Sequence, residues 1–346
     1  MFQEFSRKGI KFLSLSERKD KISKIGIFEP GSAGLDRWLL DYWHPDHILD
    51  QDLQSLAEKI VAAKNNGKPV IWMMGAHVIR RGNSLLIIDL MERGIITHIA
   101  ANGAVAIHDF ELAFQGSTCE DVEHYIKDGK FGNWKETGFF INNAVADGYE
   151  DGLGYGAAIG RMIEDGGVFV HNRPKELHFP FKTLSIFAAA YRLGVPITVH
   201  KGIGQDITDQ HPDANFEILG GASGRDFLIF VKIISKLEGG GVFLNLGTQV
   251  MGPEVYLKTL SMARNVAAQE NREIKNFTTA VFDIVDLGDW RTENSSQEPA
   301  YYFRPKKTIL IRTVKDGGES FYIRGDFDIT IPALYKKIVD LLQERR

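Results

Sequence analysis

Cysteine is almost absent: Cys119 is the only one in 346 residues, so no internal disulfide can form and no cysteine-built metal cluster is available. A basic excess is absent as well. Lys and Arg total 41 against 45 Asp and Glu, a formal charge of −4, which leaves nothing to neutralise a nucleic-acid backbone and favours small, non-polymeric partners. No run reaches the roughly 20 apolar residues of a membrane helix, and charges interrupt the N-terminal stretch where a signal peptide would be apolar. These absences point to a cytoplasmic chain with no membrane span. The Walker loop, HExxH and GxSxG are missing too, which removes P-loop hydrolysis, zincin chemistry and the usual hydrolase elbow. Cys119 stands next to Glu120 and Asp121, whose carboxylates oppose a thiolate nucleophile.

What is present is ordinary globular material, 44% hydrophobic and 25% charged, arranged as short apolar runs that alternate with helical patterns. The runs PVIWMMG (69–75), ITHIAAN (96–102), VPITVHKG (195–202), GGVFLNLG (240–247) and FTTAVFDIV (277–285) read as buried parallel strands. Between the first two, Ile79, Leu86, Leu90 and Met91 approximate helical spacing and Gly94 is a stop, which makes a βαβ unit. Further helices fit 51–65, 118–127, 183–193, 224–237, 253–267 and 332–344. The class is α/β, a doubly wound and mostly parallel sheet with helices on both faces. A single domain over 49–346 preceded by an N-terminal extension, 1–48, is the economical organisation. TILIRTV and SFYIRGD around VKDGGE read as an antiparallel hairpin at a sheet edge.

Open parallel sheets bind ligands in the loops beyond their strands, so the loops are searched for chemistry. The chain leaves the second strand through Asn102 and Gly103 and then presents His108 and Asp109 near a helix start, a place where backbone can approach a ligand and amides are unpaired. The competing reading is a plain βα turn. The densest cluster is VHKGIGQDITDQHP, with His200, Lys201, Asp206, Asp209 and His211 in one short loop, where the groups must pair or repel and shift one another's pKa values. Gly247 with Thr248 and Gly252 forms a third loop, and Asp283 ends a fourth strand that contains Thr279. DGLGYGAAIGRM (151–162) imitates a dinucleotide fingerprint, but it follows acidic residues and not a strand, so a glycine-rich helix packed closely on a neighbour is expected.

Taken in order, these loops resemble those of the deoxyhypusine synthase family. KGIGQD is similar to the family's DGSxGD, with Asp206 on the last acid. LGTQVMGPE stands where the family has a glycine-rich segment before a helix, FTTAVFDIVDL resembles NTAQEFDGS, and GDFDITIP resembles ADAS-x-x-x-P with Asp326 on an adenosine-binding acid. The stretch NSSQEPAYYFRPKKT, with Lys306 and Lys307, has no counterpart of the family's SWGKI lysine. The resemblance implies a Rossmann-type NAD-binding fold, a homotetramer, and aminobutyl transfer from a polyamine such as spermidine to a protein lysine or a free diamine. It places the cofactor on Asn102, Gly103, Gly247, Thr279, Asp283 and Asp326. It places the polyamine on Asp109, Asp206 and Asp209, and proton transfer on His108, His200 and Asp206. Two other readings stand beside it: a metal-dependent hydrolase using His77, His108, Asp109, His200, Asp206 and His211, and a non-catalytic NAD- or polyamine-binding protein.

Overall fold

The computed structural model describes residues 2–171, 173–295 and 298–344, so Ser296 and Gln297 of the stretch searched for a catalytic lysine lie outside the described residues. In chain order the strands are β1 Asp20–Ser23, β2 Val70–Met74, β3 His98–Ala101, β4 Ser117–Glu120, β5 Gly167–Val170, β6 Arg173–Glu176, β7 Ile197–Val199, β8 Gly241–Leu246, β9 Phe277–Asp283 and β10 Glu319–Arg324. The helices are α1 Ala33–Tyr42, α2 His47–Asn65, α3 His77–Arg80, α4 Ser84–Glu92, α5 Gly103–Gln115, α6 Val122–Ile126, α7 Lys135–Glu150, α8 Tyr155–Asp165, α9 Ile186–Leu193, α10 Phe216–Ile234, α11 Met251–Gln269 and α12 Phe327–Gln343. The chain groups into two compact units, each assembled from separated stretches: Met1–Gly26 with Asn102–Asp226, and Ile27–Ala101 with Phe227–Arg346. The first 48 residues divide between the two units.

The second unit carries five parallel strands in the order β10-β9-β8-β2-β3. All five residues of β2 and all seven of β9 are buried, so both faces of the sheet are covered, as an all-parallel sheet requires. On one face Ile71 and Met73 join Phe243, Val281 and the α11 residues Tyr256, Leu260 and Ala263 in a single core. Helix α2 packs against β2, β8 and β10 and against α12. Helix α12 begins five residues earlier than expected and contains Pro332. The proline has no N–H for the Asp328 carbonyl four residues back, and the Trp38 indole N–H takes that acceptor at 2.7 Å.

One element departs from the sequence reading. Residues 308–314 do not form the first strand of a hairpin; Lys306–Arg312 is a π-helix, and β10 pairs in parallel with β9. The carbonyls of Ile309 and Leu310 accept hydrogen bonds from the Thr279 and Ser320 hydroxyls at 2.9 and 2.7 Å. The strands' side chains thus hold an apolar run that local propensity alone would extend.

The first unit holds two small antiparallel pairs, β1 with β4 and β5 with β6, together with β7 and α5 to α9. Its N-terminal stretch is anchored by Arg18, which makes a two-pronged pair with the buried Glu111 at 2.9 and 2.6 Å. Thr118 and Thr137 donate to the same carboxylate. Burial would push Glu111 up, but the Arg18 charge and these bonds outweigh it and hold its pKa below the usual range. Helix α8 is the glycine-rich helix that the sequence suggests. A Cβ at Gly156 would lie 2.1 Å from the Ile197 carbonyl oxygen and one at Gly160 would lie 2.6 Å from that of Phe187, so only glycine permits these contacts.

Candidate functional site

In the second unit the chain runs from β2 to β3 in one direction across the sheet and through β8, β9 and β10 in the other. The reversal lies between β2 and β8, and the carboxyl ends of strands at such a point form the usual ligand crevice of a doubly wound sheet. Gly75, immediately after β2, donates its N–H to the Leu246 carbonyl at 2.9 Å. A Cβ there would fall 2.4 Å from the Gly247 carbonyl oxygen. Gly247 has φ +67°, and a Cβ on it would meet the Phe327 ring at 2.7 Å. Backbone thus lines this point because both residues lack side chains. Thr248 is buried, and its hydroxyl accepts the Gly252 N–H at 2.9 Å in the first turn of α11.

The neighbouring strand ends complete the row. Asp283 closes β9, buried, with Oδ1 accepting the Ile284 and Val285 N–H groups at 2.8 and 3.2 Å. Gln249 reaches its other oxygen at 3.4 Å. Asp326 stands at the N-cap position of α12 without capping it through its side chain, and Arg81 lies 3.5 Å away. Gly247, Asp283 and Asp326 therefore lie at the carboxyl ends of adjacent strands. Thr279 does not: it sits mid-strand, fully buried, with its hydroxyl spent on Ile309. Its assignment to the cofactor is corrected to a structural one.

In the first unit, Asn102 caps α5, its side-chain oxygen accepting the Val105 N–H at 3.1 Å. Gly103 then begins the helix against Asp206; a Cβ on it would lie 1.9 Å from Asp206 Oδ2. The carboxylate is accommodated at a helix N-terminus, where the helix dipole favours negative charge. Lys201 Nζ lies 2.7 Å from Asp206 Oδ2 and 2.8 Å from Asp209 Oδ1, and all three side chains are buried. Burial raises the pKa of Asp206, Lys201 opposes that, and Asp209 adds to it. Gly204 N–H donates to Asp209 Oδ2 at 2.7 Å. The crowded loop has resolved into a buried trio in which one ammonium lies between two carboxylates.

Three expected roles are corrected here. Asp109 is fully buried and accepts from the Ser185 hydroxyl and the Ile186 and Phe187 N–H groups; it anchors the start of α9 and faces no ligand. His200 Nε2 lies 3.2 Å from the Thr198 hydroxyl, and burial pushes its pKa down to about 4, so near pH 7 it is the neutral imidazole with a single ring N–H. Among the described residues no group of three or more His, Cys, Asp or Glu is placed to hold a metal ion, which leaves the hydrolase reading without a ligand set. His108 sits 2.6 Å from the Thr118 hydroxyl. Because that hydroxyl donates to Glu111, the imidazole Nδ1 must be its donor.

Sequence reasoning missed Asp226 and Gly75. Asp226 accepts from the Val199 and Gly156 N–H groups at 2.8 and 2.9 Å and substitutes for the side chain that Gly154 lacks at the start of α8. Burial pushes its pKa up to about 7. No local pattern marks a cap supplied from 70 residues away. Gly75 was visible as the residue closing PVIWMMG, but its crossing of Gly247 needs the sheet order.

No sequence family model matches the chain, and no curated protein matches it. Solved structures do share its fold. ArgZ, an arginine dihydrolase from the ornithine–ammonia cycle in cyanobacteria, superposes with TM-score 0.51 at 14% identity over 86% of this chain and 34% of its own. AgrE in its ternary complex with ornithine and NAD+ gives TM-score 0.50 at 14% identity, over 87% of this chain and 34% of its own. An LOR/SDH protein from Methanococcus maripaludis S2 gives TM-score 0.50 at 16% identity, over 91% of this chain and 74% of its own. The chain therefore spans about a third of the length of the dihydrolase chains it resembles. What it shares with all three is a mixed α/β fold built on a parallel sheet flanked by helices.

Proposed function

We propose that this chain binds NAD at the strand ends of its second unit and acts on a small aliphatic amine. The specific form is the one the sequence resemblance implies, aminobutyl transfer from a polyamine such as spermidine. The observation that carries the reading is the crossing of Gly75 and Gly247 at the point where the sheet order reverses, because the carboxyl ends of strands at such a reversal are where folds of this kind take a nucleotide, and glycine there presents backbone and not side chains. A neighbour of the same fold holds NAD+ together with ornithine, a diamino acid with an aliphatic amine end. When bound, NAD supplies a hydride acceptor for the carbon beside a substrate nitrogen.

The chain's own residues do the rest. Gly75 and Gly247 admit the cofactor, and Asp283 and Asp326 offer carboxylates at the adjoining strand ends. In the first unit Asp206 and Asp209 share the single ammonium of Lys201, and they are the carboxylates the resemblance assigns to a substrate ammonium. Covalent attachment through an enzyme lysine is left out of the proposal. Lys306 is buried with its ammonium donated to the Asp289 carbonyl at 2.8 Å, and Lys307 lies over the Tyr301 ring. A free diamine is accordingly the favoured acceptor. Assembly as a homotetramer belongs to the same proposal and is checked by light scattering.

The test is incubation of the purified protein with NAD and spermidine, with putrescine as acceptor, and with ornithine in a parallel reaction. Release of 1,3-diaminopropane supports polyamine transfer. NAD reduction with ornithine alone moves the substrate to a diamino acid and keeps the cofactor. No product and no reduction with any of these amines, at saturating NAD, removes the enzymatic reading.

A further inference from the structure

The connection from β2 to α4 carries a cation, Arg80, that has no counter-ion among the described residues. Arg80, at the end of α3, is half-buried, its Nε is sealed from water, and that atom meets no acceptor. Among the described residues its guanidinium makes no ion pair. Its neighbour Arg81 is held by Asp328 and Asp326 at 3.3 and 3.5 Å, on the surface. His77, at the start of the same short helix, is kept below its usual pKa by burial and by the charges of Arg80 and Arg81. A buried guanidinium N–H without an acceptor is unfavourable, and an anion meeting this side chain would supply a counter-charge.

The next turn has the complementary feature. Asn83 occupies the N-cap position of the nine-residue α4 yet does not cap it. Its side-chain N–H groups go instead to the carbonyls of Val78, Arg81 and Phe327, at 3.2, 3.4 and 3.0 Å. The Ser84 hydroxyl, the donor that could serve an anion here, is buried without a partner. The ring of the same Phe327 covers Gly247, so this turn adjoins the backbone crossing at the sheet reversal.

We propose that the β2–α4 connection is a phosphate site, in which Arg80 pairs with phosphate oxygens and the uncapped first turn of α4, with the Ser84 hydroxyl, completes their hydrogen bonding. Its ligand is a nucleotide phosphate, so the inference rests on the nucleotide reading above and adds the group that recognises charge. A dinucleotide has two sources of that chemistry, the pyrophosphate and a 2′-phosphate.

The test is calorimetric titration of the wild type and Arg80→Met, which keeps the apolar stem, with inorganic pyrophosphate, ADP, 2′,5′-ADP, NAD and NADP. Loss of at least about tenfold in affinity for the phosphate ligands, with an unliganded melting temperature no lower than wild type, is the expected result. Equal losses for ADP and 2′,5′-ADP place the pyrophosphate at Arg80, and a loss confined to 2′,5′-ADP places the 2′-phosphate there. Unchanged affinities in Arg80→Met, no binding of any phosphate ligand by the wild type, or a lower melting temperature of the unliganded variant overturns the site. The two readings fail separately. Arg80-dependent binding of pyrophosphate without NAD or NADP binding keeps the site and removes the cofactor. NAD binding indifferent to Arg80 does the reverse.

Discussion

At the carboxyl ends of β2 and β8 the backbone comes into direct contact, because Gly75 and Gly247 have nothing beyond Cα. In the loop after β7, three long ionisable side chains are folded inward, and Lys201 is held between Asp206 and Asp209. The second unit brings two strand ends into contact by omission, and the contact is made between peptide groups. The first unit fills its loop with charge and must satisfy each group internally. The two solutions respond differently to substitution. A side chain added at the glycine crossing meets immovable backbone, whereas a charge removed from the trio leaves its partners buried and unpaired.

The largest effect is expected from Lys201→Met, which strands two buried carboxylates and should cost about 3–5 kcal/mol in urea unfolding. The triple variant that also carries Asp206→Asn and Asp209→Asn should recover much of that loss. A Lys201→Met protein as stable as wild type would break the claim that charge organises this loop.

Gly75→Ala comes next. No rotamer relieves a Cβ placed 2.4 Å from a backbone oxygen, so a loss of about 1–3 kcal/mol is expected together with loss of nucleotide binding. Gly67, whose Cβ would meet nothing within 4 Å, is the control; Gly67→Ala carries only the cost of its positive φ.

A pH series sharpens the contrast further. Asp226 and Asp109 are raised by burial from 3.8 to about 7. Their contribution is full below the unfolded value and is lost as pH rises through about 7. His200 is lowered by burial from 6.5 to about 4, so its contribution is present above 6.5 and is lost as pH falls towards 4. Relative to wild type, Asp226→Asn should become progressively more stable between pH 4 and 7. A stability difference constant over that range would show that burial does not set this group's ionisation. The smallest effect belongs to the surface pair: Arg81→Ala should change stability by no more than about 0.5 kcal/mol, since Arg81 and Asp326 are both half-exposed.

The difference between the units also explains what could be read from the residues alone. The β2, β3, β7, β8 and β9 runs coincide with observed strands, because a strand buried on both faces writes itself as a short unbroken apolar run. The close packing of α8 was legible from glycines that lack a preceding strand. The π-helix at Lys306–Arg312 was not, since its β-branched residues favour a strand locally and only hydrogen bonds from Thr279 and Ser320 override them. Nor was the division into two units, because each is assembled from stretches about 75 to 125 residues apart in the chain. The site divides in the same way. Gly247, Asp283 and Asp326 follow apolar runs and could be picked out by position. The inward role of Asp109 and the neutral state of His200 depend on burial that no spacing records.

The central claim, that the glycine contact at the sheet reversal shapes a nucleotide site in the second unit, is tested most directly by calorimetric titration of NAD into the wild type and Gly247→Val. The account predicts saturable heat with one equivalent of NAD per wild-type chain. It predicts no heat from a Gly247→Val protein that still unfolds cooperatively, because valine at φ +67° is driven into the Phe327 ring. Equal binding by both proteins, or none by the wild type, would contradict it.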